Sequence, residues 1–155
     1  MENVEKFCNF LREYTDFIET VALQEKDRLD ALLSGEIEKI EQTIAQEQVV
    51  EKKLQLFETQ RIELQKENNA SALTFSQIIN TFEEPLKGNM QKVLLRMQAA
   101  ADNAKFYNTK SLEYAKMNLQ RMHLLEKTDG TESGYTQDKK ATSTLDDTSL
   151  FNAKI

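Results

Sequence analysis

The sequence predicts an all-α protein: an elongated antiparallel three-helix bundle of coiled-coil type, with one short extra helix and a flexible C-terminal tail. Three observations carry that expectation. Chain breakers are scarce, with one proline and four glycines in 155 residues, whereas a mixed fold needs many turns. Apolar residues recur at alternating steps of four and three along three long segments, the spacing of one helical face. Charged residues make up 30% of the chain and mean hydropathy is −0.61, so much of the surface must face water, as it does around slender helices.

The first helix is expected over residues 2–33. Phe7, Leu11, Tyr14, Ile18 and Val21 form its stripe. Glu25, Lys26 and Asp27 interrupt it, and Leu29, Leu32 and Leu33 resume on a slightly rotated face. Ser34-Gly35 ends the run, because glycine accepts the left-handed geometry that stops a helix. The second helix, 36–67, carries Ile40, Thr43, Glu47, Val50, Leu54, Phe57, Arg61 and Leu64 on its stripe, with Ile37 and Ile44 alongside. So short a connection favours an antiparallel hairpin. One continuous helix would cost only about 1 kcal/mol at Gly35 and stays open.

A short helix is expected over 74–83, where Thr74 and Gln77 can form a capping box. Pro85 suits the first turn of the next helix, 85–126. The stripe of that last long helix runs through Leu86, Met90, Val93, Met97, Ala100, Ala104, Tyr107, Ser111 and Tyr114. Its closing turns break the pattern. Leu112, Ala115, Leu119 and Met122 make a second stripe, while Tyr114, Met117, Leu124 and Leu125 occupy the other faces. Two neighbouring helices cannot cover apolar residues on nearly every side, so a partner, a second copy or the tail is expected there. Residues 1–126 are read as the bundle and 127–155 as the tail.

Net charge is −6 without a basic stripe, which argues against nucleic acid and anionic membrane surfaces. Apolar runs are too short to span a bilayer, and the start, MENVEKFCNF, lacks the basic-then-apolar pattern of a secretion signal. A cytoplasmic location is the expectation. Catalytic constellations are missing from the sequence: His123 is the single histidine and Cys8 the single cysteine. His123 reads as an ordinary late helix residue, and Cys8 as a small residue beside the seam. No enzyme, metal or cofactor is expected. Met90 and Met97 read as core filler, whereas Met117 and Met122, in the over-apolar region, suit a surface that accepts a helical partner.

Several stretches together resemble the FlgN-like family of flagellar export chaperones: EKDRLDALLSGEIEKIEQ at the hairpin, LFETQRIEL with Glu58 and Arg61, NAKFYNTKSLEYAKMNL, and a polar tail with Gly134-Tyr135 that closes on SLFNAKI. The resemblance covers nearly the whole chain through the order and spacing of these stretches. It implies a cytoplasmic type III export chaperone that binds the C-terminal helical region of hook-associated (hook–filament junction) proteins, prevents their premature assembly and delivers them to the flagellar export gate. The resemblance places substrate binding in the C-terminal part of the chain, and the excess apolar residues there, Leu112, Tyr114, Ala115, Met117, Leu119 and Met122, are expected to form the docking groove. Tyr135 is the position similar to a gate-docking tyrosine, although the tail around it departs from the family pattern.

In the tail, Leu145, Leu150, Phe151 and Ile155 are expected either to cover the empty docking surface or to clamp a substrate, the bland alternative being a solvated tail. Other readings stay open at this stage: a coiled-coil scaffold or spacer, an export chaperone for the filament cap or flagellin, and a homodimer.

Overall fold

The computed structural model describes residues 3–129. They form four helices and no strand: α1 Val4–Ser34, α2 Ile37–Glu67, α3 Phe75–Ile79 and α4 Leu86–Asp129. The fold is an all-α bundle of three long helices with α3 as a short insert.

Gly35 takes a left-handed φ of 70° and closes α1. Around it the Ser34 hydroxyl donates to the Ala31 carbonyl at 2.7 Å and accepts from the Glu36 amide at 3.2 Å. The result is a hairpin, not a rod. Lys6 pairs with Glu67 at 2.9 Å at one end, and Arg28 lies 3.5 Å from Glu47 toward the other, so α1 and α2 run antiparallel. Helix α4 runs parallel to α1: Arg96 reaches Asp16 at 3.2 Å and also bonds Glu19. Packing is most extensive between α1 and α4, then between α1 and α2, with little direct contact between α2 and α4. Helix α1 is therefore the central element.

Expectation and structure differ around α3. The capping box forms, with the Gln77 amide donating to Thr74 Oγ1 at 3.2 Å and the Thr74 amide to Gln77 Oε1 at 2.9 Å. The helix nevertheless stops at Ile79 rather than Glu83. The amides of Thr81 and Phe82 tighten onto the carbonyls of Ile78 and Ile79, and Pro85 disfavours helical geometry at the residue before it. Helix α4 begins at Leu86 and continues to Asp129, past the expected end at Glu126.

The core has two halves. Near α3 it is aromatic. Phe7 meets Phe75 and Phe82 edge-on at 6.0 and 5.8 Å, and Phe57 stacks on Tyr14 at 4.9 Å and on Phe17 at 5.1 Å. Such pairs contribute about 0.5–1.5 kcal/mol each beyond their buried area. Toward the hairpin it narrows to Val21, Val50, Met97, Ala100, Ala101 and Ala104, where the continuous apolar core ends. The predicted stripe of α1 and the main stripe of α4 are buried or half-buried except at Leu33, which is exposed at the hairpin, and Met90 and Met97 are fully enclosed.

Near the lower end of α2, Arg61 is buried. It donates to Glu58 Oε2 at 2.9 Å and bonds Gln65, whose amide reaches the Leu73 carbonyl at 2.9 Å. The Glu58–Arg61 element thus ties α2 to the loop before α3. Replacing Arg61 by Ala is expected to cost about 3 kcal/mol, because a bidentate bond is lost and Gln65 keeps a buried, unpaired oxygen. Urea denaturation measures that loss, and a change below about 1 kcal/mol would show the network to be solvated.

Candidate functional site

The relative lengths of the helices create the site. Arg96 faces residues 77 and 80 positions earlier on α1, so Ser34, the last residue of α1, lies level with about residue 115 of α4. Roughly a dozen residues of α4 then project past the hairpin, ~18 Å of helix at 1.5 Å per residue. The core-facing stripe of α4 does not stop where its neighbours do. From Met90, Met97 and Ala104 it continues through Ser111 and Ala115 to Leu119 and Met122.

Six residues were expected to bind a partner, and the structure divides them. Leu112 is only 7% exposed. It lies level with the end of α1, so it belongs to the packed bundle and not to an open surface. This corrects the expectation. Tyr114, Ala115 and Leu119 are half-buried. Met117 and Met122 are 48% and 57% exposed, and Leu124 and Leu125 are 65% and 64% exposed beside them. Phe106, which the sequence reading did not single out, is 55% exposed on the same helix. It meets Tyr107 edge-on at 5.3 Å, with the Lys110 ammonium 5.8 Å from its ring centre. Its signal was available: it lies four residues before Lys110 and eleven before Met117, on the face opposite the core stripe. Tyr135, Leu145, Leu150, Phe151 and Ile155 lie outside the described residues.

Just below the projecting segment sits a polar layer that the sequence reading missed. Glu25 is 2% exposed. Arg28 Nη1 stands 3.5 Å from Glu25 and 3.5 Å from Glu47. Glu47 from α2 and Asn108 from α4 also face this carboxyl, whose Oε2 is buried without a hydrogen-bond partner. Burial pushes the Glu25 carboxyl up to about 8, the neighbouring Glu47 adding to the shift, while Arg28 and Asn108 work against it. A buried carboxyl beside a second carboxylate favours its protonated form. The signal lay in the spacing, since Glu25 is four residues beyond Val21 and falls on the core stripe.

Other singled-out residues settle simply. Cys8 is buried, and burial pushes its thiol up, which suppresses the reactive thiolate. His123 is a half-buried residue of the α4 projection. The described residues hold no group of three or more His, Cys, Asp or Glu side chains placed for a metal ion, and no helix among them is long and apolar enough to cross a membrane. Comparison of the chain with protein-family models, curated proteins and solved structures returns no significant match.

Proposed function

We propose that this chain is a cytoplasmic flagellar type III export chaperone, which holds the C-terminal helical region of hook-associated junction proteins on the outer half of α4 and passes them to the export gate. The observation that supports it is the helix projecting beyond its own bundle with its core stripe continuing through Leu119, half-buried, and Met122, exposed, and with Leu124 and Leu125 exposed on its other faces. An amphipathic helical segment docks on such a surface through anchors spaced i, i+3, i+4 and i+7, and methionine adapts to the partner's shape. The family resemblance suggests the cargo, and the uncovered stripe is what a helical cargo needs.

Calorimetric titration with the C-terminal segment of a hook-associated protein tests the reading. Binding at 1:1 with a negative heat-capacity change is expected. Replacing Leu119 and Met122 together by Ser should weaken it about 100-fold or more, since each buried apolar side chain contributes roughly 1.5–3 kcal/mol, and helicity should persist because both sit beyond the hairpin. Binding only of filament-cap or flagellin segments would move the cargo, and failure of all of them would end the proposal.

A scaffold reading has one observation in its favour. Helix α2 exposes Ile37, Ile44, Val49, Leu56 and Ile62, more apolar surface than a monomeric helix usually leaves open. Sedimentation equilibrium separates the two: a scaffold gives a tight oligomer with no affinity for any export segment.

A further inference from the structure

The outer face of α4 has its own pattern, distinct from the core stripe. Phe106, Lys110, Glu113, Met117, Arg121 and Leu124 follow one another at steps of four and three, so they share one face of the helix. All six are exposed. Charged groups lie between the apolar anchors, Lys110 and Arg121 against Glu113, with Lys105 and Lys116 on the neighbouring flank. Residues 105–125 hold Lys105, Lys110, Lys116 and Arg121 against Glu113 alone, a net +3 in a chain of net −6, which leaves −9 on the rest. Glu113 pairs with Lys110 at 3.3 Å, an exposed and weak pair that an incoming carboxylate can exchange into. The apolar, partner-accepting end of α4 is therefore a basic segment set in an acidic protein.

We infer that the outer face of α4 docks an acidic amphipathic helix, whose apolar residues seat against Phe106, Met117 and Leu124 while its Asp and Glu side chains meet Lys110 and Arg121. This uses the docking role proposed above for α4 but not the identity of the cargo. A helix fits because the anchors repeat at helical spacing over about five turns, roughly 27 Å, a length an extended strand would meet with a different period. Acid fits because like charges would be rejected here, and opposite ones are steered in.

An anionic membrane fits less well. Lying in an interface requires one apolar and one basic face. On α4 the apolar side chains of Met117 and Leu124 point away from the core stripe that Leu119 and Met122 continue. The −9 carried elsewhere would also repel the surface.

The test titrates the full-length chain with three synthetic helical peptides of one apolar pattern, whose polar positions are Glu, Gln or Lys, and with vesicles containing phosphatidylserine. The Glu peptide is expected to bind at 1:1, at least about tenfold more tightly than the Gln peptide, with affinity falling as salt rises. Combining Lys110→Glu with Arg121→Glu should reverse the order of the Glu and Lys peptides, and Phe106→Ser should weaken all three. Equal binding of the three peptides, or binding of vesicles alone, overturns the inference. A tight dimer that excludes the peptide, or binding that emerges only with Asp146→Asn and Asp147→Asn combined, assigns the face to a second copy or to the chain's own terminal segment and overturns it too. Binding of the Glu peptide without any export segment upholds the inference and removes the chaperone reading. Binding of an export segment without charge preference does the reverse.

Discussion

Replacing Phe7 by Ala is expected to destabilise the fold by about 3–5 kcal/mol, the usual cost of emptying an aromatic site in a core. Phe7 is 1% exposed and stands edge-on to both Phe75 and Phe82, so one ring joins the first turns of α1, the short α3 and the turn that leads into α4. The cavity has little means of collapsing. Helix α3 has five residues and is fixed by its capping box, while α1 is held from the other side by α2. Against a typical total stability of about 5–15 kcal/mol, the loss should be plain in urea denaturation. Phe106→Ala is the matched control: the same deletion at an exposed ring should stay within about 0.5 kcal/mol. A loss below about 1 kcal/mol at Phe7 would mean that α3 does not pack on α1 in solution.

The contrast between those two rings shows what was legible in the sequence. Phe7 belongs to a stripe that continues as Leu11, Tyr14, Ile18 and Val21, and local spacing alone marks such positions as buried. The Gly35 turn and the Thr74 cap were legible for a similar reason, since each depends on a few adjacent residues. Register between helices is a different kind of quantity. It depends on which layers of side chains meet, and the Arg96 pairing with Asp16 and Glu19, together with the approach of Asn108 to Glu25, shows where α1 runs out along α4. That is why Leu112, read as open surface, proved buried, whereas Met122, ten residues on, is exposed: the last turn of α1 lies between their levels. The end of α3 at Ile79 was missed because Thr81 and Phe82 tighten their turn before Pro85 forces a stop. Glu25 was missed because its charge outweighed its position. A carboxylate on a core stripe reads as an interruption until α2 and α4 are seen to bring Glu47 and Asn108 to the same level.

Glu25→Gln should raise stability at alkaline pH and change it little in mild acid. The ordinary carboxyl value is 4.5 and the folded value is about 8, so between those limits the folded chain holds a proton that the unfolded chain has released. Stability therefore falls as pH rises through that window, and the contribution is fully present only below the unfolded value. Each tenfold difference in proton affinity between the folded and unfolded chains corresponds to about 1.4 kcal/mol, so the wild-type chain should lose a few kcal/mol between about pH 5 and pH 8. A glutamine in the same place has no proton to lose and still offers an amide to Glu47 and an oxygen to Asn108. The variant should therefore match wild type near pH 5 and exceed it by about 2–3 kcal/mol near pH 8, read as melting curves across the range. Glu47→Gln tests the cause. It removes the second carboxylate but leaves Glu25 buried beside Arg28, so it should shrink the pH dependence without abolishing it. If instead the wild-type curve is flat and Glu25→Gln destabilises at every pH, Glu25 is ionised throughout and its pairing with Arg28 dominates. The polar layer would then be a fixed ion pair rather than a protonated carboxyl.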